Sequence, residues 1–152
     1  MSYLNSVLQP GEQVRHVAKV HWIVYLPGLV AFAAGVLAMI FALAAQEMRA
    51  LWQILAALLF VVAFAMMASA WFKRWTTEIA VTNRRIIYKR GFIRRQTSEM
   101  NMDKVASVDV VQSVFGRLFN YGSITVQAAG QNLEAIPMID APIDFRNHVT
   151  AR

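Results

Sequence analysis

Cysteine is absent from this 152-residue chain. That excludes disulfides, thiolate catalysis and cysteine-ligated metal, and it is compatible with a reducing compartment. Histidine is scarce too. His16, His21 and His148 stand at no ligand spacing such as HxxxH or HExxH, so hydrogen bonding is the expected role and metal binding is not. The sequence also lacks a glycine-rich phosphate loop, a pair of carboxylates placed for acid–base work and a nucleophile elbow, and no motif places a base beside Ser107, Ser113 or Ser123. No enzyme, cofactor or small-molecule substrate is expected.

Acidic residues number nine against fifteen Lys and Arg, a formal net charge of +6. Nucleic acid is one partner for so basic a chain, but no nucleic-acid motif is present and no such partner is expected. Charge of either sign is missing altogether from two long stretches, Trp22 to Ala45 and Ala50 to Phe72, which only Gln46, Glu47, Met48 and Arg49 separate. As helices each is about 35 Å long, against a hydrocarbon core of about 30 Å. Their polar side chains are chiefly Gln53 and Ser69, and neither has the polar stripe of a soluble helix. A transmembrane helical hairpin over residues 22–45 and 50–72 is expected. Trp22, Tyr25, Trp52, Trp71 and Trp75 would form its interfacial belt, with Pro27 in the first turns, where proline costs least.

Neither stretch holds an ionisable residue, and two helices are too few for a pore, which argues against transport. Small residues recur at Ala34, Ala38 and Ala42 and at Ala56, Ala63 and Ala70. Such faces permit close approach, expected between the two helices, with a homo-oligomer or a partner helix as the other use. Arg15 and Lys19 precede the first stretch and Lys73 and Arg74 follow the second, whereas the loop holds only Arg49 beside Glu47. By the positive-inside rule both termini are expected in the cytoplasm. A cleavable signal peptide is not expected, because polar residues including Glu12 precede an apolar run too long for one.

The flanks, residues 1–21 and 73–152, read as one small β-rich domain. Tyr3, Leu4, Val7 and Leu8 suggest a helical turn, and Pro10-Gly11 a chain reversal. Strands are expected at about Glu12 to Val20, Thr76 to Thr82, Arg85 to Arg90, Phe92 to Glu99, Val105 to Gln112, Ser123 to Ala129 and Asn132 to Ile139, seven in all. A lone first strand cannot satisfy its edges, so it should pair with the later ones, making the hairpin an insertion. Val114, Phe115, Leu118 and Phe119 mark a short helical turn stopped by Gly122, and a helix is expected from about Pro142 to Thr150 with Asp140 as N-cap.

That inventory matches a pleckstrin-homology (PH) type barrel closed by a C-terminal helix, an α+β membrane protein overall. The stretches LQPGEQV, HW, VTNRRIIYKRGFIRR and, above all, VVQSVFGRLFNYGSITVQ resemble the bacterial PH-domain membrane family of YdbS-like proteins. The most specific part is VxxxQSxxGRxxxYG. The resemblance implies a multi-pass protein of the bacterial inner membrane carrying a PH-like domain, and it supplies no reaction, ligand or catalytic residue. The PH-like strand inventory, the small-residue helix faces and the lack of catalytic groups point to a protein-interaction scaffold or adaptor under the cytoplasmic leaflet, with a protein partner or a homo-oligomer expected. A small subunit of a larger membrane complex is one alternative. An anionic-lipid sensor is another, because Arg84, Arg85, Lys89, Arg90, Arg94 and Arg95 place six positive charges in twelve residues, with Lys73 and Arg74 at the membrane exit. These eight are the candidate lipid contacts.

Overall fold

The computed structural model describes residues 7–45, 47–91, 96–128, 131–132 and 135–150. They divide into two compact units, one made of Met1–His21 with Lys73–Arg152 and the other of Trp22–Phe72.

In the first unit, four antiparallel strands form one sheet in the order β1 (Val14–Ala18), β2 (Glu78–Thr82), β3 (Arg85–Arg90) and β4 (Gln96–Asn101). The second sheet is built around β6 (Tyr121–Ala128), which pairs with β5 (Val105–Val111), β7 (Gln131–Asn132) and β8 (Ile136–Asp140). Alternation explains how these strands bury one face. Ile79 and Val81 of β2, Ile86 and Tyr88 of β3 and Ile124 and Val126 of β6 each stand two apart and all point into a common core with Ala18, Met100, Ile136 and Ile139.

The C-terminal helix, at Pro142–Thr150, contributes Phe145 and Val149 to that core, with Phe145 fully buried. Its start at Pro142 agrees with the preference of proline for a first helical turn.

The expected barrel is not closed. Among the described residues no ladder joins β4 to β5: the chain takes a 3-10 turn at Met102–Lys104, and β5 then pairs forward with β6. One bridge, Val20 to Ile139, connects the sheets on the other side. The run Asn132 to Ile139 is not one strand but the separate β7 and β8. The strand expected at Phe92 to Glu99 is described from Gln96 onward as β4, which runs on to Asn101; residues 92–95 are outside the described residues, as are Tyr3 and Leu4.

The second unit holds α1 (Leu26–Ala44), after a 3-10 turn at Trp22–Tyr25, and most of α2 (Arg49–Thr76). Both are long and apolar enough to cross a membrane. Their side chains are arranged inside out relative to a soluble hairpin. Gly28, Gly35, Ala38 and Ala42 of α1 and Ala56, Ala63 and Ala70 of α2 are the buried residues, while Leu43, Leu51, Val61 and Phe64 are exposed. Positions 28, 35 and 42 and positions 56, 63 and 70 repeat every seven residues, the spacing of a left-handed pair of helices. At Gly28 a Cβ would lie 2.6 Å from Met67 Cγ, so the close approach depends on its absence. Ala34 is only half-buried. The helix α2 continues past Phe72 to Thr76, with Lys73 and Arg74 in its last turn, where cations offset the negative end of the helix dipole.

Candidate functional site

The ladder between β1 and β2 pairs Ala18 with Ile79 at one end and Val14 with Thr82 at the other. The strand that leads toward α1 and the strand that follows α2 are therefore neighbours, and both connections emerge at the Ala18–Ile79 end of the sheet.

The opposite end is held by a buried carboxylate. Glu12 accepts from Arg85 through Nε at 3.0 Å and Nη2 at 2.9 Å, from the Thr82 hydroxyl at 2.7 Å and from the Gln9 N–H at 3.0 Å. Burial by itself would raise its pKa; the hydrogen bonds from Arg85, Gln9 and Thr82, with the Arg85 charge, outweigh it and hold the group at about 2. Arg85 also donates to Glu99 at 2.7 Å and to the carbonyl of Val7 at 2.9 Å, and its hydrogen bonding to Glu12 pushes its pKa further up. This cluster fastens the segment before α1 onto strands that follow α2.

Among the described residues the basic run does not form one patch. Arg85 is corrected from a lipid contact to an internal partner, with its side chain 12% exposed and committed to Glu12 and Glu99. Arg84 is exposed beside it. Lys89 and Arg90 lie at the other end of β3, about 17 Å away at strand rise. The half-buried Lys89 has its Nζ 3.8 Å from Glu78, and Arg90 is exposed. That end is also where β2 follows α2, whose last turn carries the exposed Lys73 and Arg74. Arg94 and Arg95 lie outside the described residues.

Where the chain leaves the sheets toward α1, residues 19–21 are zipped to β8. The Asp140 N–H donates to Lys19 O at 3.0 Å, and the His21 N–H donates to Met138 O at 2.7 Å. The buried His21 ring stacks on Tyr121 with centroids 5.3 Å apart. Asn120, Met138 and Ala141 have φ of 57°, 57° and 46°, left-handed values that asparagine tolerates and that cost residues such as Met138 and Ala141 about 1–2 kcal/mol each. The Ala141 N–H donates to Asn120 O at 3.0 Å, so two of these left-handed residues hold each other.

Next to this junction lies α3 (Val114–Leu118). Ser113 caps it by accepting the Gly116 N–H at 3.0 Å, and the Gln112 amide reaches the Tyr121 carbonyl at 3.2 Å. A Cβ on Gly116 would lie 2.6 Å from that same carbonyl. The QSxxGR and YG elements of the motif thus build a tight turn, which reverses at Asn120 and not at Gly122, a residue of β6. The large apolar side chains of this turn point outward, with Val114 at 83%, Leu118 at 74%, Val111 at 69% and Phe115 at 67% exposure. Sequence reasoning located the turn but not this outward face.

The histidines separate. His16 stacks on His148 at 4.5 Å and packs edge-on against Phe145. Burial, then the neighbouring His148, pushes its pKa down against the opposing pull of Asp144. Among the described residues no cluster of three or more metal-capable side chains is present.

Two packed sheets with a helix in their shared core, interrupted in sequence by two long apolar helices, define a PH-like β domain. The chain belongs to the bacterial PH domain family, whose model, described as Bacterial PH domain, matches residues 17–151. Neither the curated proteins nor the solved structures compared with the chain give a match.

Proposed function

We propose that this protein is a non-enzymatic PH-like module, YdbS-like in arrangement, that is held at the bacterial inner membrane by two spans with both termini in the cytoplasm and acts as a protein-interaction scaffold. The observation that carries this reading is the β1–β2 ladder. Because the strands before α1 and after α2 are hydrogen-bonded neighbours, the chain runs to and from the spans from two adjacent points of the sheet. Such tethering suits presentation of a surface to a partner. Among the described residues β4, a mostly polar and exposed strand, pairs on one side only, with β3, and its other edge offers backbone groups for an added strand. In addition, the described buried polar side chains are all satisfied within the protein, which leaves no orphan group aimed at a small ligand.

Crosslinking of the full chain in native membranes, followed by mass spectrometry, tests the reading. The expected result is a reproducible protein partner crosslinked near residues 96–101. Only self-contacts, or none, would remove its basis.

A second reading, contact with anionic lipid, is favoured by the exposed Lys73, Arg74 and Arg90 at the end of the sheet from which the spans connect. Each basic residue near such a leaflet contributes about 1 kcal/mol.

A further inference from the structure

Val111, Val114, Phe115 and Leu118 form an exposed apolar surface on the β domain, which nothing in the PH-like core requires. Soluble surfaces rarely show large apolar side chains so closely grouped, and such a group marks a contact. Two observations within this domain say which contact. The Gly116 position of α3 is pressed against the Tyr121 carbonyl, and the Tyr121 ring stacks on His21, the residue immediately before Trp22. Strand pairing agrees: Tyr121 is registered with Asp140, and Ile139 bridges to Val20. The apolar turn is therefore at the end of the domain where the chain leaves for its first apolar helix.

We infer that α3 is a membrane-seating wedge: Val114, Phe115 and Leu118, with Val111, lie in the headgroup and acyl boundary of the bilayer that α1 and α2 cross, and Arg117 reaches anionic headgroups. This rests on the reading of α1 and α2 as spans. An amphipathic surface element of this kind settles about 5–10 Å into the boundary, a depth that side chains projecting from a single helical turn can cover. Arg117 is exposed on the same short helix, as expected of a basic residue beside an apolar wedge. The polar work of holding the turn is done by Gln112 and Ser113, so its large apolar residues are left for an external phase.

The absence of cysteine allows one unique fluorescent label per variant of the full chain. Leu118→Cys and Val114→Cys would be labelled with an environment-sensitive dye in nanodiscs containing anionic lipid, with Leu58→Cys in α2 and Thr97→Cys in β4 as references. All four sites are exposed within the protein, so the labels leave its packing intact. The expected result is blue-shifted emission at 118 and 114, quenching by a lipid-borne spin label and loss of quenching by aqueous iodide, with position 97 open to iodide. Iodide quenching at 118 and 114 equal to that at 97 would overturn the wedge while lipid quenching at 58 kept the spans. Protection from iodide without lipid quenching would also overturn it, by showing that protein or a second copy covers the face. Failure of lipid quenching at 58 would remove the span reading and the wedge with it.

Discussion

Glu12 and Arg85 show how little a charge means until its neighbours are known. Arg84 and Arg85 are adjacent and chemically identical, yet one is exposed and the other holds two carboxylates and a main-chain carbonyl. Removing one partner of a buried pair strands the other charge, so Glu12→Gln and Arg85→Gln are each expected to cost about 3–5 kcal/mol, whereas Arg84→Gln should stay within about 0.5 kcal/mol. Denaturant unfolding of the detergent-solubilised protein would measure all three, and equal effects at 84 and 85 would contradict the placement. The pH dependence has a definite sign. Since the folded pKa of Glu12 is about 2 and the ordinary value 4.5, its contribution is fully present above 4.5 and is lost as pH falls through about 2. Near-UV circular dichroism should show a loss of native signal in that window, and Glu12→Gln should remove this group's share of it.

At the scale of elements, α3 and the α1–α2 pair both depend on small residues for close approach, against main chain in one case and between helices in the other. Gly116 lets a short helix sit against a main-chain carbonyl that cannot move aside, so Gly116→Ala is expected to cost about 1–3 kcal/mol and to weaken the Gln112–Tyr121 contact. Thermal unfolding would check this, and an unchanged midpoint would contradict the close approach. In the helical pair the small residues are the packed ones. Ala63 is 1% exposed and Phe64 76%, so Ala63→Leu should loosen the pair by about 1–3 kcal/mol through overpacking, with Phe64→Leu nearly neutral. A disulfide-trapping assay between cysteines placed on α1 and α2 would read that change. The spacing of Ala56, Ala63 and Ala70 was legible in the sequence because a seven-residue repeat needs no partner to be seen. The fate of Phe115 and Leu118 was not: i to i+4 spacing marks a helical face without saying whether protein or another phase covers it.

For the whole molecule, the decisive contact is that of β1 with β2 across the intervening hairpin. Ala18 is part of the common core and Glu12 pairs with the largely buried Arg85, so a fragment of residues 75–152 would lack an edge strand, a core residue and one of the charge partners of Arg85 together. That fragment is expected to melt without cooperativity. Joining residues 1–21 to it through a flexible linker is expected to restore a cooperative transition. Equal melting of the two fragments would show that the segment before α1 is dispensable.

The amino-acid sequence alone determined the two long helices, since length and the exclusion of charge are properties of each stretch by itself and need no particular neighbour. It also determined most strands of the two sheets, because a period of two is local. Only the tertiary structure decided that the sheets part between β4 and β5, that Arg85 turns inward while Arg84 does not, and that α3 presents its apolar side chains outward. The inward turn of Arg85 depends on a contact between residues far apart in the chain, Glu12 with Arg85, and a local pattern carries no information about a partner it has not yet met.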